Sequence, residues 1–95
     1  MTETEIISKK IRPYLVDAYK ARVIKIHSSP FSEAGVADLL CCVDGKFIAL
    51  EVKKKGNKAT PIQLMFLESI RRAGGRAGVV RIDSFKEDIK GIIGY

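Results

Sequence analysis

Ninety-five residues, 46% of them hydrophobic and 29% charged, suit one small domain spanning residues 1–95 and exclude a second. Seventeen Lys and Arg against eleven Asp and Glu leave a net charge of +6, a balance that points to polyanionic partners, nucleic acid first. No run is long enough to span a bilayer and no basic-apolar-small segment opens the chain, so no membrane role is expected and the protein reads as soluble and cytoplasmic.

The first element, "TETEIISKKIRPYLVDAYKA", opens with a capping box, Thr2 with Glu5, and then places Ile7, Ile11, Tyr14, Leu15 and Ala18 at helical spacing. Pro13 lies inside this helix and is expected to kink or break it after a short first segment. "RVIKIH" alternates apolar and basic residues and reads as a strand, with Val23, and Ile24 and Ile26 as candidates, against the core. "SSPFSEAG" reads as a loop. Leu39 to Val43, the tight turn Asp44-Gly45 and Phe47 to Val52 form a hairpin. Cys41 and Cys42 are adjacent within it, lack partners at metal-ligand spacing, and read as two small core hydrophobes. "KKKGNKAT" is a basic loop. "TPIQLMFLESIRRAGG" is a helix with Thr60 as N-cap, Pro61 at its first position, Gln63 completing a capping box, Arg71 and Arg72 at its end and Gly74-Gly75 beyond. "RAGVVRI" is a strand, and "DSFKEDIKGIIGY" a last helix capped by Ser84 with Glu87. The order α, β, β, β, α, β, α describes an α/β fold in which the third and fourth strands, joined through a helix, are parallel within a mixed sheet.

The hairpin raises a chemical question. With Asp44 and Gly45 as the two residues of a type I′ turn, the register carries outward until Asp38 faces Glu51. Directly opposed residues have Cβ atoms only about 4.5–5.5 Å apart, and like charges there are destabilising. Lys53, two residues beyond Glu51 and on the same face, offsets part of that repulsion. A divalent cation shared by both carboxylates offsets more, and hard oxygen ligands suit Mg²⁺ or Mn²⁺. Taken alone, Glu51-x-Lys53 is the ordinary pattern of an exposed ion pair; the opposed Asp38 and the adjoining basic loop turn the reading toward a site.

At this point the sequence resembles a family. "GVADLL" followed by "FIALEVKKK" is similar to the motif of the PD-(D/E)xK nuclease superfamily, with Asp38, Glu51 and Lys53 as its D, E and K. "TPIQLMFLESIRRAGG", with Gln63 near the start of a helix that ends in Gly, resembles the VRR-NUC (virus-type replication-repair nuclease) group of that superfamily. Ala37 stands where the family usually has Pro, a residue that shapes backbone and does no chemistry. The resemblance implies a restriction-endonuclease-like αβββαβ core, a mixed central sheet flanked by helices, in agreement with the order above. It also implies an acid on the first helix. Glu3 lies at the edge of the face set by Ile7, Ile11, Tyr14 and Ala18 and is chosen over Glu5, which serves the capping box.

By that resemblance the chain is a metal-dependent deoxyribonuclease. Asp38, Glu51, the Val52 carbonyl and Glu3 are the implied ligands of one or two Mg²⁺, with Mn²⁺ able to substitute. Lys53 orients water or steadies charge on the phosphate, and Gln63 joins the catalytic set unless its capping role holds it. His27 is the only histidine and reads as a loop-edge residue, leaving no conventional base. Lys54, Lys55, Lys58, Arg71, Arg72 and Arg76 are the expected phosphate contacts. Tyr14, Tyr19 and Phe31 do not form a stacking platform for single strands. DNA shape, such as a branched or four-way (Holliday) junction, is the expected substrate, and stand-alone members resembling this family, often of phage or prophage origin, act on such DNA. A homodimer is expected, closed by the apolar tail "GIIGY" and uncovered sheet edges. The alternative is a non-catalytic nucleic-acid-binding module built on the nuclease core.

Overall fold

The structure is a computed structural model and describes residues 1–27 and 33–95. Phe31 and the middle of the predicted "SSPFSEAG" loop lie outside the described residues. Thr2 and Glu5 cap the first helix reciprocally, as the sequence predicts, and the chain then runs as α1 (Glu3–Ile6), a π-helical turn (Ile7–Ile11) and α2 (Arg12–Tyr19). The π turn is the local answer to Pro13, which has no N–H to give a carbonyl four residues back. Around it the bonding lengthens, and the Arg12 N–H reaches the Ile7 carbonyl. The helix therefore passes the proline and keeps Ile7, Ile11 and Leu15 on one buried face.

Four strands, β1 (Arg22–Lys25), β2 (Leu39–Val43), β3 (Lys46–Lys53) and β4 (Arg76–Arg81), form a sheet in chain order. The β1–β2 and β2–β3 pairs are antiparallel and β3–β4 is parallel, so the predicted mixed sheet is present. Asp44 and Gly45 both have positive φ, 50° and 77°, which is the type I′ turn. Helix α3 (Pro61–Arg72) makes the crossover from β3 to β4, and a short 3₁₀ turn (Ile82–Ser84) leads into α4 (Phe85–Ile93).

Side-chain alternation divides the core. Val23, Leu39, Cys41, Val43, Ile48, Leu50, Val52 and Val80 face α1, α2 and α4. The other face is thinner, with Ala49 and Ala77 packed under Leu67, Phe66 and Ile70 of α3. Among the described residues a single helix covers it, over β4 and over β3 beyond Phe47. Ile24 and Phe47 are accordingly exposed, and so is Cys42. This corrects two expectations: Ile24 does not join the core, and only Cys41 of the two cysteines is buried, because adjacent strand residues point to opposite faces.

Two further corrections concern the carboxyl end. Ser84 makes no capping bond with Glu87; its hydroxyl donates to Asp88 Oδ2 at 2.9 Å, and the same oxygen accepts the Arg81 N–H at 2.8 Å. The tail "GIIGY" is not left over for a partner. Ile93 is completely buried in the main cluster, Ile92 packs against it, and Tyr95 folds back so that its hydroxyl donates to Asp44 at the hairpin turn. Amphipathic spacing could not distinguish burial against the chain's own sheet from burial against a second chain. Ile93→Ala should thus cost about 2–5 kcal/mol in urea unfolding, a loss of the same size at low and high protein concentration. A concentration-dependent loss would return the tail to an interface.

Candidate active site

The segment entering β2 is held in place by packing against α3. Gly35 has φ 79°, and a Cβ there would lie 2.6 Å from the Ile62 carbonyl oxygen, so only glycine fits between loop and helix. Ala37, in the position where the resemblance leads one to expect proline, is buried with Ala49 and Leu67. Asp38 follows at the point where β2 begins. Its backbone carbonyl accepts the Ile26 N–H at 2.8 Å and its Oδ2 accepts the Val52 N–H at 2.8 Å. The carboxylate thus takes the place of a strand carbonyl at the next rung of the β2–β3 ladder and ties β1 to β3.

The pairing Leu39↔Leu50 one rung inward sets Asp38 against Glu51, as the turn register predicts. Glu51 is 2% exposed and is the one charged residue buried among those described. Its Oε2 lies 3.4 Å from Lys53 Nζ, whose side chain is also largely covered. Its Oε1 is buried and has no hydrogen-bond partner. A buried carboxylate oxygen without a donor costs several kcal/mol unless something neutralises it. Burial first, and then the Asp38 carboxylate beside it, push the Glu51 pKa up from 4.5 to about 7, with Lys53 pulling weakly the other way.

These donors fit a divalent cation: two adjacent carboxylates, one with an orphaned oxygen, next to a strand end that carries the Val52 carbonyl. Among the described residues no three His, Cys, Asp or Glu side chains converge on a common metal position. Glu3 is half-buried at the start of α1 and does not make a third acid with Asp38 and Glu51. Gln63 is held in the capping box, its Oε1 accepting the Thr60 N–H at 2.9 Å, so the structure places its carbonyl in the cap and not at the acids. His27 is exposed, as a loop-edge residue should be.

The predicted basic residues separate into two groups. Lys54, Lys55 and Lys58 are exposed on the loop that leaves β3 immediately after the acid pair. Arg71, Arg72 and Arg76 are elsewhere. Helix α3 runs back along the sheet, so its last turn lies at the opposite end, and both Arg71 and Arg72 pair with Glu68. Arg76 stands opposite Ile48, five rungs from Lys53 or about 17 Å along the strand, with its guanidinium on the Ile92 carbonyl of α4. Sequence reasoning missed Arg81. It pairs in register with Lys53, and its guanidinium donates to the carbonyls of Lys54, at 3.3 Å, and Asn57. The signal was present in "RAGVVRI", since a parallel strand after the crossover must end beside the end of β3.

Comparison with known proteins follows the same lines. A solved VRR_NUC domain is 30% identical, with 90% of this chain and 94% of that one covered and a TM-score of 0.65. A second VRR_NUC domain protein is 23% identical over 99% of this chain and 89% of its own, with a TM-score of 0.67. Hjc, a Holliday junction resolvase from the hyperthermophilic archaeon Archaeoglobus fulgidus, is 20% identical over 78% of this chain and 66% of its own, with a TM-score of 0.55. The last two are likenesses of fold. No protein-family model matches the chain, and no curated protein does.

The raised Glu51 pKa sets a pH dependence. Between 4.5 and about 7 the folded protein holds a proton that the unfolded chain has released, so stability is greatest below this window and falls as pH rises through it. In EDTA the loss should be about 3 kcal/mol by urea unfolding at pH 5 and pH 8. Glu51→Gln should flatten that slope; an unchanged slope would place the titration elsewhere.

Proposed function

This chain belongs to the VRR-NUC domain family, and from that premise we propose that it is a divalent-metal-dependent DNA endonuclease. The observation that carries the proposal is the orphaned, buried Oε1 of Glu51, held against Asp38 and beside Lys53 at the root of a basic loop. Asp38, Glu51 and the Val52 carbonyl would hold Mg²⁺, or Mn²⁺ in its place. When bound, the cation supplies Lewis-acid polarisation of the scissile phosphate and a lowered pKa for water. Glu3 is assigned an outer supporting role from α1, and Gln63 would act only in a rotamer that leaves its cap.

The chain's own groups do the positioning. The Val52 N–H fixes the Asp38 carboxylate, so this side chain arrives with its rotamer already chosen. Lys53 is steered by Glu51 to the same spot, where its ammonium can orient water or balance charge building on the phosphate. Lys54, Lys55 and Lys58 contact backbone phosphates and read no bases. Arg71, Arg72 and Arg76 would meet only DNA long enough to run the length of the sheet.

Branched DNA is the proposed substrate. Its support is the fold shared with Hjc, described as a Holliday junction resolvase, together with the lack of a base-reading motif. A homodimer would give the two equivalent sites that a four-way junction matches. With the tail engaged in its own core, the surface that supports a dimer is the outer face of β1, β2 and the start of β3, where Ile24 and Phe47 are exposed. Sedimentation at micromolar concentration tests the dimer, and a panel of linear, flapped and four-way DNA with and without Mg²⁺ tests the substrate. Binding without cleavage under every metal condition would instead favour the non-catalytic module.

Two substitutions separate metal from fold. Asp38→Asn should abolish cleavage and shrink the Mg²⁺-induced rise in melting temperature. It should leave the metal-free fold at least as stable, because the amide oxygen can still accept from Val52 while its NH₂ faces Glu51. A large loss of metal-free stability would make Asp38 structural. Lys53→Ala should reduce rate with little change in affinity, whereas Lys55→Ala and Lys58→Ala should each weaken binding and lower the salt slope by about 1. Equal affinity losses in all three would reduce Lys53 to one more phosphate contact.

A further inference from the structure

Arg81 is a cation beside the acid end of β3 that the nuclease chemistry above does not use. It lies on the α3 face of the sheet, in register with Lys53. Its backbone is pinned by Asp88 Oδ2 through the Arg81 N–H, and Asp88 is steadied in turn by the Ser84 hydroxyl. Its guanidinium is given to the carbonyls of Lys54 and Asn57 and, among the described residues, to no carboxylate. Those carbonyls belong to one turn of the basic loop, closed by the Asn57 N–H on the Lys54 carbonyl and bent at Gly56, with φ 86°.

A segment of Lys, Gly and Asn has no apolar side chain to anchor it, and the like charges of Lys53, Lys54, Lys55 and Lys58 push it apart. Left alone, it would lose chain entropy on binding DNA and weaken every phosphate contact it makes. A planar guanidinium can hold two carbonyls at once, which an ammonium does poorly. Because no acid neutralises Arg81, the arrangement fixes the loop and preserves its positive field.

We propose that Arg81 is a positioning residue for DNA contact, a latch that holds the Lys54–Lys58 turn against the end of β4 so that its lysines are presented, already ordered, beside the Asp38–Glu51 pair. The DNA part rests on the loop role proposed above; the latch itself does not.

The test has two arms. In the first, trypsin is applied to the native protein, without DNA or metal. Cutting after Lys54, Lys55 and Lys58 should accelerate by about tenfold or more in Arg81→Ala, as expected when a local opening becomes easier by one factor of ten in its equilibrium. Arg81→Lys, which keeps charge and loses the fork, should behave nearly the same and stands in if the alanine variant folds poorly. Unchanged cutting in both overturns the latch.

In the second arm, binding to a labelled four-way DNA is followed against salt in EDTA, in the parent and in a Lys55→Ala/Lys58→Ala background. If the latch acts through those lysines, Arg81→Ala lowers affinity in the parent and has much less effect once they are gone. Equal losses in both backgrounds, or full affinity in Arg81→Lys, would make Arg81 a phosphate contact in its own right and overturn the proposal. Faster cutting with no change in parental affinity overturns its DNA part. If the double lysine variant binds DNA like the parent, the loop reading fails as well, and the trypsin result still reports separately on the latch.

Discussion

Glu51 is a carboxylate that the fold has taken out of water without fully pairing it. One oxygen meets Lys53 and the other meets no donor, while Asp38 presses a second negative charge against it. A small domain has few kcal/mol to spare, and an arrangement of this kind is a large fraction of them. Much of the surrounding structure can be understood as holding it: Gly35 fitted against α3, Ala37 buried beneath that helix, and the Asp38 carboxylate bonded across to β3. The strain is concentrated at the strand ends, where the ladder has already stopped and a side chain completes it.

The same ends gather positive charge. Parallel β3 and β4 finish together, which brings Lys53 and Arg81 side by side, and the loop leaving β3 passes directly over that pair of ends. At the other end of the sheet, two of the three arginines are tied to Glu68 and the third to a helix carbonyl. A net charge of +6 is therefore not spread evenly in its consequences. One cluster stands beside the acids with the Lys54, Lys55 and Lys58 side chains exposed, and the other is largely occupied in holding α3 and α4.

Much of this was legible from the chain. Periodicity, the two capping boxes, the Asp44-Gly45 turn and the crossover helix determined the element order and the mixed sheet, because each depends on residues close in sequence. The turn also determined the register, and the register alone set Asp38 opposite Glu51. The VRR-NUC resemblance agreed with the same residues.

What the sequence could not determine is which surface each residue meets. Ile24 and Cys42 look as apolar as their neighbours, yet face outward because, among the described residues, only one helix covers that side of the sheet. Ile93 has the spacing of a partner-facing residue and is buried in its own core; Gln63 could cap its helix or reach the acids and is held in the cap; Arg71, Arg72 and Arg76 lie at the end of the sheet away from the acids. Arg81 comes beside Lys53 only because two strands distant in sequence end together. Local bonding rules act within a few residues, so the sequence by itself determined the elements and the acid pair. Which side chains share a face or an end depends on chain closure over tens of residues, and only the tertiary structure decided that.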